Sequence, residues 1–502
     1  MNKQARLVTH GALALLTLVV FLPHHSRGLM LYDLGELLLY VRAILDGDTP
    51  GIDFVVNGYG PGRYLLIAGL SAVFGAAPLS LAFGVFLALR IAITAALYEV
   101  ALRLLGPRWT PWALFPVVLS LLVPGPLHKG FFQLGTLALL ISAWAVHRTP
   151  TSRRAAAMGV VIAACALFRL DLGLFGAVML GAVSGTKRSP RVFVWGALAP
   201  TIGLVALTAS LVMMGDGVLT AVGGQVWHDV AVNQTISFPT FPGPVDQIVE
   251  RSLDRLLLWL PFVIYGGLLL FLFRDESELE RRRESWLLLL LGVLACNQIR
   301  MKPEFGHLLQ AGPLMWVAVA FLAVRLGHQT RAGWVVTSLA LFLPLALVSN
   351  TVRNHTGSVY TGSFTIPLER DHLLRTAAGT LVVTDYEQDE VEPVLRAIER
   401  APPGPLWVPS NQPLLHALTG REDGTGYVGV LYVAGAPEKE ADLIRRLETS
   451  KPAVAVFLDD SMEGPERTLR NAAPQVHEYL FETFVEVEKI GAYSIMHRRV
   501  AN

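Results

Sequence analysis

Apolar runs long enough to cross a bilayer recur through the first 349 residues of this chain and then stop. A spanning helix needs about 20 mostly apolar residues. In lipid such a run has little choice of structure, because every backbone N–H and C=O must be bonded internally. Candidate spans fall at 7–23, 78–103, 109–123, 131–147, 155–168, 171–185, 191–214, 252–273, 285–297, 308–325 and 332–349, about eleven crossings by that length rule. The pair around Arg169 is also readable as one long bent span. Residues 63–75 are apolar but long enough only for a re-entrant or interfacial piece. Composition supports two solvents: 16% of the 502 residues are charged, against about 25% in soluble domains, and the depletion is confined to residues 1–349. The expected fold is a polytopic α-helical membrane protein over 1–349, with a C-terminal soluble α/β domain over 350–502. A net charge of +1 gives no reason to expect a nucleic-acid partner. Cys165 and Cys296 sit inside apolar runs and read as core residues, with neither a disulfide framework nor a metal site indicated. The first run follows Lys3 and Arg6, but Pro23-His24-His25-Ser26-Arg27 is no signal-cleavage site, so it reads as an uncleaved span.

Arginine and lysine placement sets the orientation, since cationic residues near span ends stay cytoplasmic. With the N-terminus inside, the inner connections hold Arg103/Arg108, Arg148/Arg153/Arg154, Lys187/Arg188/Arg191, Arg274/Arg281/Arg282/Arg283 and Arg325/Arg331. The short outer connections hold Lys129 alone, Arg169 alone, or Arg300 with Lys302. The bias keeps its phase along the chain and places the C-terminal domain outside. Two further long outer segments are then 24–77 and 215–251. The chain is expected to be integral to a membrane, with a bacterial inner or plasma membrane as its setting.

Past residue 350 short apolar runs alternate with amphipathic ones. Strands are expected at 381–384, 406–408 and 453–458, helices at 391–399 and 441–447, and a hairpin of 484–490 with 492–496 across Gly491. Such alternation favours layered α/β architecture. No glycine-rich phosphate loop follows any of these strands. A lid, an acceptor-binding surface or a structural support are the roles open to this domain.

The first outer loop is rich in acids: Asp33 and Glu36, then Asp46, Asp48 and Asp53. Residues 34–45 have apolar positions at helical spacing, which predicts an amphipathic helix on the outer membrane face. Asp33 then falls at its N-cap and Glu36 at the capping-box position. A chemical role is the alternative. Moving a sugar from a lipid phosphate to a hydroxyl needs a carboxylate to take the hydroxyl proton and cations to hold the departing phosphate.

The stretch Tyr32-Asp33-x-Gly-Glu36, then Leu45-Asp46-Gly47-Asp48-x-Pro50-x-x-Asp53-Phe54 and Tyr59-Gly60-Pro61-Gly62, resembles the first outer loop of polytopic C-type glycosyltransferases, among them protein mannosyltransferases and bacterial aminoarabinose transferases. Phe168-Arg169-Leu170-Asp171-x-Gly173 resembles their Arg-x-Asp-x-Gly element. Pro303-Glu304-Phe305-Gly306-His307-Leu308 resembles their histidine-bearing late loop. Leu414-Leu415-His416-Ala417-Leu418-Thr419-Gly420-Arg421 is similar to a Leu-x-x-Leu-Thr-Gly-Arg stretch in the outer domain of bacterial members. The resemblance implies an inverting glycosyltransferase that takes a sugar from a polyprenyl-phosphate donor and passes it to an envelope glycan, lipid or protein acceptor. It implies Asp33 as base with Glu36 as runner-up. Many members carry Asp-Glu consecutively, whereas Leu34 follows Asp33 here, so the second acidic role, including the divalent cation some members use, stays unassigned.

Around that core the sequence offers Arg169 with Asp171, Arg300, Lys302 and His307 as groups to grip a lipid phosphate or sugar, and Tyr59, Arg63 and His228 as further substrate contacts. Each has a structural account: Arg169–Asp171 as an ion pair closing a turn, Arg300 and Lys302 as headgroup contacts, His307 as a satisfied interfacial histidine. Arg90 is expected to pair within the bundle, with Glu99 nine residues on as one partner. The connector Arg274–Glu284 reads as solvated. Two other functions compete: a ligase or polymerase moving glycan chains from a lipid pyrophosphate, and a transporter or assembly scaffold. Transporters usually show duplicated halves with broken helices, and no such duplication is visible.

Overall fold

The computed structural model describes residues 3–22, 33–48, 60–122, 129–213, 245–274, 279–301, 305–326, 371–410, 412–427, 429, 433, 435–458 and 468–499. Its contacts divide into two compact units: Met1–His25, Val85–Gly215 and Asn233–Thr365 in one, and Ser26–Gly84, Asp216–Val232 and Ile366–Asn502 in the other. The first outer segment thus groups with the C-terminal residues.

The first unit is helical. Its elements are α1 (Lys3–Phe21), the greater part of α4 (Pro78–Leu105), α5 (Thr110–Leu122), α6 (Gly130–Arg148), α7 (Ser152–Phe168), α8 (Leu170–Lys187), α9 (Pro190–Met213), α10 (Val245–Arg274), α11 (Leu279–Met301) and α12 (Phe305–Leu326). Each expected span from 7–23 to 308–325 coincides with one of these helices; span 332–349 lies outside the described residues. Among the described residues, 5 helices are long and apolar enough to cross a membrane by length and composition. Helices α7 and α8 are separate, because Arg169 between them is extended (φ −156°, ψ 122°). The bundle centres on α12, whose span is 100% buried, and α6, at 67%. Helices α7 and α9 approach through glycine: a Cβ on Gly159 would lie 2.4 Å from the carbonyl oxygen of Gly196, the small-residue contact by which membrane helices pack without a hydrophobic drive.

Buried charged side chains of the bundle have polar partners where the structure describes them. Glu284 is buried (3% exposed) and accepts from Arg148 Nε at 2.5 Å and Nη2 at 2.8 Å. Arg103 is 3.8 Å from it, and Trp144 Nε1 donates to its backbone oxygen at 3.0 Å. The end of the Arg274–Glu284 connector is therefore a buried tie among α4, α6 and α11, not a solvated link; a carboxylate in the first turns of a spanning helix needs such partners. Arg90 stays within the bundle but bonds Gln133 at 3.0 Å. Glu99 instead takes Arg6 at 3.0 Å and His10 at 2.8 Å from α1. Nine residues are two and a half turns, so Arg90 and Glu99 face opposite sides of α4.

The second unit contains α2 (Asp33–Asp46) and α3 (Gly62–Phe74), the hairpin β1 (Asp371–Thr376) and β2 (Gly379–Thr384), α13 (Asp385–Arg400), β3 (Leu406–Trp407), α14 (Leu414–Thr419), α15 (Pro437–Ser450), β4 (Val454–Leu458), α16 (Leu469–Ala472), α17 (Pro474–Thr483), β5 (Phe484–Ile490) and β6 (Tyr493–Arg498). Four strands form a sheet in the order β3-β4-β6-β5, parallel between β3 and β4 and antiparallel elsewhere. Strand β4 lies between β3 and β6, and Val454-Ala455-Val456-Phe457 is continuously buried, the pattern of a strand whose two faces are both covered. The expected hairpin is present, with Ile490 opposite Tyr493 and Gly491 at φ 56°. Helices α15 and α17 cover a core of Trp407, Leu443, Leu447, Phe457, Leu480 and Phe484. The expected segments 381–384, 391–399 and 441–447 fall within β2, α13 and α15, and 406–408 and 453–458 each run one residue beyond β3 and β4; β1, α14, α16 and α17 carry no such pattern in the sequence.

Candidate active site

Each unit holds one cluster of the residues that the sequence singles out. In the second unit the acids stand on α2. Asp33 is its first residue and is part-buried. The helix does not present a simple wet face: Leu34, Gly35, Glu36, Leu37, Leu38, Tyr40 and Val41 are all buried. It is embedded in protein at its N-terminal half, where the sequence predicts a helix lying on the membrane face.

Glu36 is fully buried (0%) and Arg63 nearly so (4%). Arg63 Nη2 lies 2.5 Å from Glu36 Oε1 and 2.5 Å from Tyr64 Oη, and Tyr64 also donates to Glu36 Oε1. The Tyr64 ring stands edge-on to Tyr40 at 4.9 Å. A buried carboxylate keeps its charge only with such partners. Arg63, foreseen as a substrate contact, thus faces the runner-up acid, and the pair joins α3 to α2. The Asp46–Gly47–Asp48 turn closes α2: Asp48 N–H donates to the Ala43 carbonyl at 2.9 Å, and Arg42 Nε lies 3.7 Å from Asp46.

In the first unit the cluster forms at the α7–α8 break. Arg169 Nε and Nη2 donate to the two carboxylate oxygens of Asp171 at 3.0 and 2.8 Å, a bidentate fork. Gln298 from α11 completes it, accepting from Arg169 at 2.9 Å and donating to Asp171 at 2.5 Å. The guanidinium lies over the Phe132 ring at 4.8 Å, and Phe131 stacks on Phe168 at 4.7 Å. Asp171 Oδ1 also accepts the Leu172 N–H at 2.9 Å, which holds the first turn of α8. With the guanidinium plane set by Asp171, Gln298 and Phe132, the cluster is an oriented Arg169–Asp171 ion pair at a helix break.

Sequence reasoning missed Gln298, although a polar tail Asn297-Gln298-Ile299-Arg300 on an apolar span is the signal that finds such residues. Arg300 is exposed and donates to Asn297 Oδ1 at 3.0 Å on its own helix. His307 is buried in the first turn of α12 (7%). Tyr59, His228 and Lys302 lie outside the described residues. Among the described residues no three His, Cys, Asp or Glu side chains are grouped to hold a metal ion, and Glu36 faces Arg63.

No family model and no curated protein sequence matches this chain. Solved structures do. The fold is similar to ArnT from Cupriavidus metallidurans bound to undecaprenyl phosphate, with TM-score 0.52 and 12% identity over 99% of this chain and 98% of that one. It is also similar to the Archaeoglobus fulgidus oligosaccharyltransferase AglB in complex with an inhibitory peptide and a dolichol-phosphate, with TM-score 0.51 and 12% identity over 95% and 72% of the two chains. The chain has the GT-C glycosyltransferase fold. Within the GT-C fold, the likeness to ArnT runs over 99% of this chain.

Proposed function

We propose that this protein is an inverting glycosyltransferase of the outer membrane face, transferring a sugar from a polyprenyl-phosphate donor to an envelope glycan, lipid or protein acceptor. The observation that carries the reading is the end-to-end likeness of the fold to a structure bound to undecaprenyl phosphate; Asp33 at the start of α2 and Arg169 at the α7–α8 break are the residues assigned to the reaction. In the transfer the acceptor hydroxyl oxygen attacks the anomeric carbon from the side opposite the phosphate. Asp33 takes the hydroxyl proton as the new C–O bond forms. The bond from the anomeric carbon to the phosphate oxygen breaks, and its electron pair leaves with the lipid phosphate. Arg169, oriented by Asp171 and Gln298, stabilises the charge that grows on that phosphate through its permanently charged guanidinium. Lys302, Arg300 and His307 are further candidates for the phosphate or the sugar, as Tyr59 and His228 are for the sugar. Glu36 and Arg63 act as positioning residues, because each holds the other in a buried pair.

Asp33→Asn tests the assignment. The variant is expected to accumulate at wild-type level and to lose at least a hundredfold in transfer, the range of a general base. Full transfer by a well-expressed Asp33→Asn protein refutes the base. A radiolabelled monosaccharide on undecaprenyl phosphate that chases into product separates this reading from transfer of a preassembled chain off a lipid pyrophosphate.

A further inference from the structure

We infer that Leu414–Arg421 is a positioning element for the acid-bearing helix: it docks on α2 and sets where Asp33 stands. The inference deepens the proposed function and rests on Asp33 being the base.

Two contacts, two helical turns apart and so on one face of α2, make the dock. At the first, Gly35 meets backbone. A Cβ there would lie 2.1 Å from Leu414 N, 2.6 Å from Leu414 Cα and 2.7 Å from the Pro413 carbonyl carbon. The neighbours are main-chain atoms, so no rotamer change can relieve the overlap. At the second, Arg42 Nη1 donates to the Gly420 carbonyl at 3.0 Å. Gly420 ends α14 in the left-handed region (φ 70°), which a residue with a Cβ adopts only with strain.

The docking stretch is itself rigidly held. Arg421 donates to the carbonyls of Ile398 (2.6 Å), Ala401 (2.9 Å) and Pro402 (2.8 Å), which lie at the C-terminal end of α13, where a cation is favoured. The Ala377 N–H, at the β1–β2 turn, donates to the Leu418 carbonyl at 2.9 Å. Leu414, Leu415 and Leu418 are buried. Core filling accounts for the three leucines. It does not require a glycine at 35 or an arginine at 42, residues nearly 380 positions away. Gly35 lies between Asp33 and Glu36, and Glu36 anchors the same helix to α3. The helix is therefore clamped between α3 and α14, and the carboxylate at its first residue is fixed within the small displacement that proton transfer tolerates.

Arg42 is the gentler probe, since its side chain is 43% exposed and its loss leaves no buried void. Full-length Arg42→Ala, Arg42→Lys, Gly35→Ala and Asp33→Asn proteins are compared in membranes, with a panel of radiolabelled monosaccharides on undecaprenyl phosphate as donors. Arg42→Ala is expected to lower kcat about tenfold with donor KM changed less than about twofold. Arg42→Lys, which keeps a donor, should recover part of the loss. Gly35→Ala should lose more than Arg42→Ala. Independently of any donor, amide hydrogen exchange over Asp33–Tyr40 should be about tenfold faster in Arg42→Ala while exchange in α6 is unchanged. Wild-type exchange over Asp33–Tyr40, or wild-type kcat, in Arg42→Ala overturns the clamp. A kcat loss matched by an equal loss of folded protein, with no recovery in Arg42→Lys, overturns it as well. If Asp33→Asn is inactive while Arg42→Ala is normal, only the clamp fails; if Asp33→Asn is fully active, the reading of Asp33 fails.

Discussion

His416 is a neutral imidazole at neutral pH by virtue of burial. It is 4% exposed, and desolvation pushes its pKa down to about 3. An unfolded chain binds a proton there near pH 6.5, so between those values the unfolded state holds more protons than the folded one. Stability contributed by this group is complete above pH 6.5 and is lost progressively as pH falls toward 3. At pH 5 the loss is about 2 kcal/mol. Melts of the purified protein at pH 7 and pH 5 should show it, and His416→Gln should flatten the difference. Asp423 pulls the other way. Desolvation, partly offset by its hydrogen bonds to Thr425, raises its carboxyl to about 6. Here the folded state holds the extra proton, so stability falls as pH rises from about 4 to 6. Asp423→Asn is expected to raise the Tm of the second unit at pH 7 by a few degrees. A lower Tm would show the ionised carboxylate to be net favourable.

At the scale of elements, α2 is held by unlike contacts on its two sides. The α3 side is an ion pair taken out of water. Removing one member leaves the other charged and buried, which costs roughly 3–5 kcal/mol, whereas replacing both with apolar groups is often near neutral. Glu36→Leu and Arg63→Met should each destabilise strongly in chemical denaturation, and the double variant should recover most of the loss. Equal, additive losses would mean that the pair does not act as a unit. A similar logic governs α7 and α9, where Gly159 meets a main-chain carbonyl of the facing helix. Gly159→Leu must push the helices apart, and reduced yield of folded protein from membranes is the expected result.

At the scale of the whole molecule, the charged connections give a topology that fusion reporters can check. Alkaline phosphatase joined after Asn502 should be active in a bacterial host, and the same reporter joined after Arg103 should be silent. Activity after both would break the alternation on which the outer-face assignment depends. Within the helical unit, Arg103 and Arg148 meet at Glu284 and Arg6 pairs with Glu99.

Much of this architecture was legible in the sequence because its causes are local. A bilayer demands long apolar helices whatever their neighbours, so the helices of the first unit could be found from apolar run length alone, 5 of the described helices being long and apolar enough to cross a membrane. Period-two and period-3.6 patterns likewise mark β2, β4, the β5–β6 hairpin and helices at 391–399 and 441–447, which the structure extends to Asp385–Arg400 and Pro437–Ser450, while β1, with no alternation of its own, took its shape from pairing with β2. Asp33, Glu36, Arg63 and Arg169 stood out because charge beside apolar sequence needs a reason. What they do with that charge was not local. Only tertiary structure paired Glu36 with Arg63, gave Arg169 its third partner in Gln298, moved Glu284 from solvent into a buried tie, and set Gly35 against Leu414. Those contacts join residues tens to hundreds of positions apart, and their free energy comes from partners being desolvated together, a quantity that no window of sequence contains.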